Sequence, residues 1–132
     1  MTLKELIEST EQNEIFSVNK DTSVCDTAKM MQEKKIGFLL VKDEGEVCGV
    51  VSERDIVYKT ATQDFKSTEH FVSEIMSTKI IWGQQDDNIR SVLDKMKKGN
   101  FRHLPVRSEN GILGIVSERD ITTYFLNKIK GA

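Results

Sequence analysis

The sequence predicts an α/β protein, α+β in the order of its elements, built from one unit written twice and packed as a pseudo-twofold pair. Three observations carry this. Gly49-Val-Val-Ser-Glu-Arg-Asp-Ile56 returns as Gly114-Ile-Val-Ser-Glu-Arg-Asp-Ile121, 65 positions later. The same offset aligns Asp21 with Asp86, Met31 with Met96, Leu39 with Leu104 and Val41 with Val106 without a gap. Each copy also reads as strand, helix, strand, strand, helix. A unit of about sixty residues buries too little surface to be comfortable alone, so it is expected to pack against its twin.

The elements follow in order. Met1–Thr10 is an amphipathic, helix-like lead-in, and its Glu5-Leu6-Ile7 resembles Glu74-Ile75-Met76 before the second copy. Ile15–Val18 and Ile80–Trp82 are short runs with strand propensity. Val24, Ala28 and Met31 recur at helical spacing, as do Ile89, Leu93 and Met96. Asp21-Thr22-Ser23 and Asp86-Asp87-Asn88 offer helix caps, and Gly99-Asn100 supplies residues tolerant of left-handed backbone to end the second helix. Ile36–Val41 and Val47–Val51 flank a turn at Asp43-Glu44-Gly45, and Arg102–Val106 and Ile112–Val116 flank one at Ser108–Gly111, which predicts two hairpins. Closing helices begin at Ser52 and Ser117. The polar stretch Ala61–Glu69 links the copies, dividing the chain into residues 1–66, lead-in included, and residues 67–132.

Composition narrows the function. The 132 residues are 38% hydrophobic and 30% charged, with a formal charge of −2. That balance lacks the concentrated excess of Lys and Arg that nucleic acid requires. No apolar run approaches the roughly 20 residues of a membrane span. Without a signal peptide's apolar stretch, a cytoplasmic location is the expectation. Cys25 and Cys48 are too few and too scattered for a disulfide framework or a zinc site and read as reduced packing residues. No catalytic triad, metal-ligand spacing or Gly-rich phosphate loop is present, so neither an enzyme nor a required cofactor is expected.

The paired Gly-(Val/Ile)-Val-Ser-x-x-Asp motifs, the segment His103-Leu104-Pro105-Val106 and the order of elements closely resemble the CBS domain, the repeat named after cystathionine β-synthase. The resemblance covers nearly the whole chain. It implies a tandem pair whose cleft takes AMP, ADP, ATP or S-adenosylmethionine, and which dimerises further.

Ser52 ends a strand and begins a helix, with Asp55 three residues on; Ser117 and Asp120 repeat the arrangement. A carboxylate so placed can accept hydrogen bonds from a ribose cis-diol, and a hydroxyl with free helix-start N–H groups suits a phosphate. Ser-x-x-Asp before an apolar run is equally a capping box, and one residue can serve both roles. By the resemblance, Ser52, Asp55, Ser117 and Asp120 are the leading ligand-binding candidates. Arg54 and Arg119, inside the motifs, either neutralise phosphates or face solvent. Arg102 and His103 open a strand near the expected cleft. Ser17 is the small hydroxyl residue usual in the family's first strand, where the second copy carries Trp82; two unequal sites are therefore expected. His70 has no evident partner.

The function implied is a regulatory adenosine-nucleotide sensor that signals to a partner protein in trans, the 132 residues containing no effector domain of their own. The alternative is a ligand-independent dimerisation and interaction module. It draws on the apolar closing helices, with Ile56, Val57 and Tyr58 in the first copy and Ile121, Tyr124, Phe125 and Ile129 in the second.

Overall fold

Which residues form the elements follows largely from local chemistry. In the computed structural model, which describes residues 1–10 and 14–131, a seven-residue helix α1 (Leu3–Ser9) opens the chain, capped by Thr2 in a reciprocal box with Glu5. Then come β1 (Ser17–Asn19), α2 (Val24–Lys34), β2 (Phe38–Asp43), β3 (Glu46–Ser52) and α3 (Glu53–Thr62). A single 3-10 turn at Val72–Glu74 precedes the second series: β4 (Gly83–Gln84), α4 (Ile89–Gly99), β5 (His103–Ser108), β6 (Gly111–Ser117) and α5 (Glu118–Lys130).

The expected caps form at Ser23 and Asn88, whose side chains accept from the N–H groups of Asp26 and Arg90. Asn100 ends α4 in the left-handed region at φ 53°, and Lys35 takes the same conformation after α2 at φ 56°. The first hairpin turns through Glu44 and Gly45, both at positive φ, which is the backbone a tight two-residue loop requires. Strand ends depart from the expectation. Ile80–Trp82 is not a strand; pairing begins only at Gly83, opposite Val106. Propensity marks residues that fit a sheet, whereas the ladder needs a partner at the right register.

Each copy makes a three-stranded sheet with one parallel and one antiparallel pair, ordered β1-β2-β3 and β4-β5-β6. Even the register shifts correspond, at Val41/Lys42 and Val106/Arg107. The chain packs as two compact units, Phe16–Ile80 and Met1–Ile15 with Ile81–Ala132. This cut differs from the sequence halves, because each lead-in packs with the other copy's sheet. Leu3 and Leu6 of α1 lie in one core with Ile89, Met96, Val106 and Ile121. Val72 of the second lead-in joins Met31, Leu39, Val41 and Val51.

Gly49 and Gly114 belong to this exchange. A Cβ at Gly49 would lie 2.5 Å from Met76 Sδ, and one at Gly114 would lie 3.4 Å from Ile7 Cδ1. Ser77 also bridges Val50 through two backbone hydrogen bonds, at 2.8 and 2.9 Å. The two glycines therefore mark where the lead-ins approach β3 and β6.

The linker is likewise more than a tether. Ala61 and Thr62 still belong to α3, and the carbonyls of Ser67 and His70 accept from the first N–H groups of α2, at Cys25 and Val24 (both 2.9 Å). Those helix-start donors have no partner within the helix itself. Of the apolar residues expected on a dimer seam, Ile121 is fully buried and Tyr124 and Phe125 pack against the same core, while Ile56 packs in the other. Val57, Tyr58 and Ile129 stay exposed, joined by Leu126. Both cysteines are free thiols of intermediate exposure.

Candidate functional site

The two Ser-x-x-Asp motifs lie where β3 runs into α3 and β6 into α5. In the first, the Ser52 N–H and hydroxyl both donate to Asp55 Oδ2 (2.8 and 3.0 Å), and the Asp55 N–H donates back to Ser52 Oγ at 3.2 Å. In the second, the Ser117 N–H donates to Asp120 Oδ2 at 2.8 Å and the Asp120 N–H to Ser117 Oγ at 3.0 Å. Both are complete capping boxes. In each, the bonds fall on Oδ2 alone, so among the described residues the other carboxylate oxygen accepts nothing. The cap thus leaves one charged acceptor of each aspartate available, and capping and ligand contact need not compete.

The residues beside these serines are set by the ladder. Phe38 pairs with Ser52 and His103 with Ser117, so each flanks its serine on the same sheet face. One position earlier, the Gly37 carbonyl accepts the Glu53 N–H at 2.9 Å and the Arg102 carbonyl accepts the Glu118 N–H at 2.8 Å. Arg102 therefore adjoins the first turn of α5, with its side chain exposed, as is Arg119. Arg54 occupies the matching place in α3 and is half-buried. Ser17 opens β1 opposite Leu40, two positions along β2 from Phe38.

Trp82 lies just before β4, with the Arg107 guanidinium 5.0 Å from its ring centre. Sequence reasoning missed Arg107, although the repeat pairs it with Lys42 and so marks a position cationic in both copies. His70 also has partners. Its Nδ1 lies 3.0 Å from Glu74 Oε1, and its ring stacks on Phe65 at 4.1 Å. This imidazole contact, with the Phe71 N–H at 2.7 Å, holds the Glu74 carboxyl below its ordinary range.

A second feature escaped the sequence. In the first unit a groove of about 480 Å³ opens between α2 and α3, lined by Ala28, Met31, Ile36, Gly37, Glu53 and Ile56 among others. The repeat alignment held the clue: the second copy has the larger Leu93 and Phe101 where the first has Ala28 and Ile36, and both pack against its core. Among the described residues no cluster of three or more His, Cys, Asp or Glu side chains could hold a metal ion, and no helix is long and apolar enough to cross a membrane.

Comparison with known proteins places the fold. The family model described as the CBS domain matches twice, over residues 3–61 and 72–127. An uncharacterised 17.7 kDa protein from the bps2 3′ region of Acidianus ambivalens is 34% identical over 115 residues, covering 86% of this chain and 68% of that protein. A solved structure of a protein with CBS domains from Burkholderia ambifaria superposes with a TM-score of 0.92 at 29% identity, covering 96% of this chain and 95% of the other. The CBS domain pair of MJ0100, solved in complex with 5′-methylthioadenosine and S-adenosyl-L-methionine, superposes with a TM-score of 0.81 at 25% identity, covering 97% and 98%.

Proposed function

The chain belongs to the CBS-domain family, and on that premise we propose that it is a non-catalytic regulatory module that binds an adenosine-type ligand at its strand-to-helix junctions and transmits the bound state to a partner protein. The observation that carries this is the one-sided use of each motif aspartate. Asp55 and Asp120 spend Oδ2 on the helix cap and keep a second anionic oxygen for a ribose hydroxyl. Ser17, Ser52 and Ser117 supply hydroxyls near the same positions, and Arg54, Arg119, Arg102 and His103 supply donors for phosphates. The MJ0100 pair, which is similar over nearly its whole length, was solved with two adenosine compounds. Either those or AMP, ADP or ATP fit the chemistry.

The proposed output is linkage. A ligand shifts a conformational equilibrium only by its differential affinity for the two states, and a partner that binds one of them reads the shift.

The discriminating variant is Asp55→Asn combined with Asp120→Asn. An amide keeps one oxygen for the cap and replaces the other, ligand-facing oxygen with a donor. Ligand at a hundred times its dissociation constant should add about 2.7 kcal/mol to wild-type stability. For a chain this size that raises the unfolding midpoint by roughly 3–8 °C. The shift should vanish in the variant while its ligand-free midpoint stays close to wild type. If none of AMP, ADP, ATP, 5′-methylthioadenosine or S-adenosylmethionine moves the wild type, the proposal fails.

A second reading, a ligand-independent dimerisation and interaction module, is favoured by a specific feature. Val57 and Tyr58 of α3 and Leu126 and Ile129 of α5 are all more than half exposed. Equilibrium sedimentation reporting only monomer at tens of micromolar would remove the dimer.

A further inference from the structure

We propose that Asn110 is a site of spontaneous covalent modification, at which the second hairpin converts to a β-aspartyl link between Asn110 and Gly111. This inference is independent of ligand binding. In the first step the backbone nitrogen of Gly111 attacks the side-chain carbonyl carbon of Asn110. The new N–C bond closes a succinimide ring and the C–N bond of the side-chain amide breaks. The leaving nitrogen departs as ammonia, taking up the proton that the Gly111 N–H gives up. Water then opens the ring. Attack at the side-chain carbonyl leaves an ordinary aspartate, whereas attack at the main-chain carbonyl leaves the backbone running through the side chain, longer by one carbon. Either product puts a carboxylate where an amide stood, with water as the only co-reactant.

Asn110 is the one asparagine of the chain that precedes a glycine, so only there does the attacking nitrogen belong to a residue without a side chain. The structure sets it apart as well. Lys20, Ile89 and Phe101, which follow Asn19, Asn88 and Asn100, donate their N–H groups to the carbonyls of Lys42, Met1 and Met96, at 2.9, 3.1 and 3.1 Å. Asn19 and Asn88 also spend their side-chain oxygens on the N–H groups of Asp21 and Arg90. Asn127 lies inside α5, where helical hydrogen bonding holds the next N–H. Asn13 falls outside the described residues. Asn110, by contrast, is exposed at the hairpin tip, and its side-chain amide has no hydrogen-bond partner among the described residues. The Ser108 hydroxyl accepts the Asn110 N–H at 3.2 Å and donates to the Gly111 carbonyl at 3.4 Å, so it engages the backbone on both sides and leaves the amide alone. Nothing lies within 4 Å of the place a Cβ would take on Gly111, which leaves room for ring closure. Gly111 also forms the last pair of the ladder, with Ser108, where local opening costs least. The first hairpin turns through Glu44 and Gly45 and has no amide to lose, so the change marks one copy only.

The test incubates the full chain, folded, at physiological temperature in mildly alkaline buffer. Samples are digested in mild acid, which halts the reaction, and read by mass spectrometry with fragmentation that separates β-linked from α-linked aspartate. Over days to weeks conversion should be confined to Asn110, with the β-linked form in excess. The intact protein should gain a more anionic species on ion exchange. The rate should rise with hydroxide concentration, because the attacking nitrogen must lose its proton. Gly111→Ala sets a Cβ beside that nitrogen and should slow conversion by about tenfold or more. Gly111 has φ 126°, so an alanine there strains the turn. Asn110→Gln is therefore the second variant; it keeps an amide but requires a larger ring, and should give no product over the same time. Conversion in urea but not in the folded chain overturns the proposal, because the hairpin then protects the site. So do α-linked aspartate alone, equal conversion at Asn19 or Asn88, or a Gly111→Ala variant that converts as fast as wild type.

Discussion

At the scale of single residues the two copies solve the same problems with different chemistry. Lys35 and Asn100 both end a helix in the left-handed region, at φ 56° and 53°. Asn tolerates that backbone because its short side chain can bond locally, whereas for Lys the Cβ clash costs roughly 1 kcal/mol. Lys35→Asn should therefore raise stability by about 0.5–1 kcal/mol and Asn100→Lys lower it by a similar amount, read as midpoint shifts in urea. Equal effects of one sign would show that the cap conformation is not what matters. Thr27 is another case. It is the fully buried polar residue of α2, where the second copy has Val92, and its hydroxyl is satisfied by the Ser23 carbonyl at 2.8 Å. Such positions were legible as helix interior, but not as needing a hydroxyl, because the partner is a backbone group that adds no distinctive residue to the sequence.

At the scale of elements, equivalent strands carry equivalent glycines under unequal pressure. The Cβ of Gly49→Ala would press on Met76 Sδ at 2.5 Å and on the Ser77 carbonyl oxygen at 3.0 Å, and the backbone atom has little room to yield. At Gly114 the nearest contact is ordinary, 3.4 Å to Ile7 Cδ1. Gly49→Ala is expected to cost about 1–3 kcal/mol, and Gly114→Ala to lie within about 1 kcal/mol of neutral because a strand gains from losing glycine's freedom. Denaturant unfolding of the two single variants measures the difference, and a larger loss at Gly114 would contradict it. The unequal lead-ins explain the asymmetry. One is a helix and the other a 3-10 turn followed by a bridge to β3, so different atoms face the two glycines. The similarity of Glu5-Leu6-Ile7 to Glu74-Ile75-Met76 was visible in the sequence; the difference in their backbone was not, since it depends on what each packs against.

At the scale of the molecule, the exchanged lead-ins decide which part depends on which. Helix α1 precedes the first copy but is buried with the second, where Leu3 and Leu6 share a core with Val92, Leu104 and Val116. Deleting residues 1–10 removes both leucines, each worth about 2–5 kcal/mol by analogy with truncation to alanine. The loss should appear in the second copy. Amide exchange in β5 and β6 should accelerate by at least tenfold, while β2 and β3, whose core contains no α1 residue, keep more of their protection. Faster exchange first in β2 and β3 would mean that α1 supports the copy it precedes. The stretch before the second copy works the same way, since its carbonyls and Val72 complete the first unit.

The sequence by itself determined the duplicated unit, its hairpins, the helix caps and the two Ser-x-x-Asp boxes. These rest on interactions a few positions apart, such as the three-residue reach from Ser52 to Asp55, and a linear pattern can display them. It also brought out the family through motif and spacing. Only the tertiary structure decided which lead-in joins which sheet, that Tyr124 and Phe125 pack on a core while Leu126 and Ile129 face outward, and that each motif aspartate keeps an oxygen outside its cap. Those outcomes turn on contacts between distant segments. An apolar residue at helical spacing looks the same in sequence whether its neighbour is solvent or Leu6.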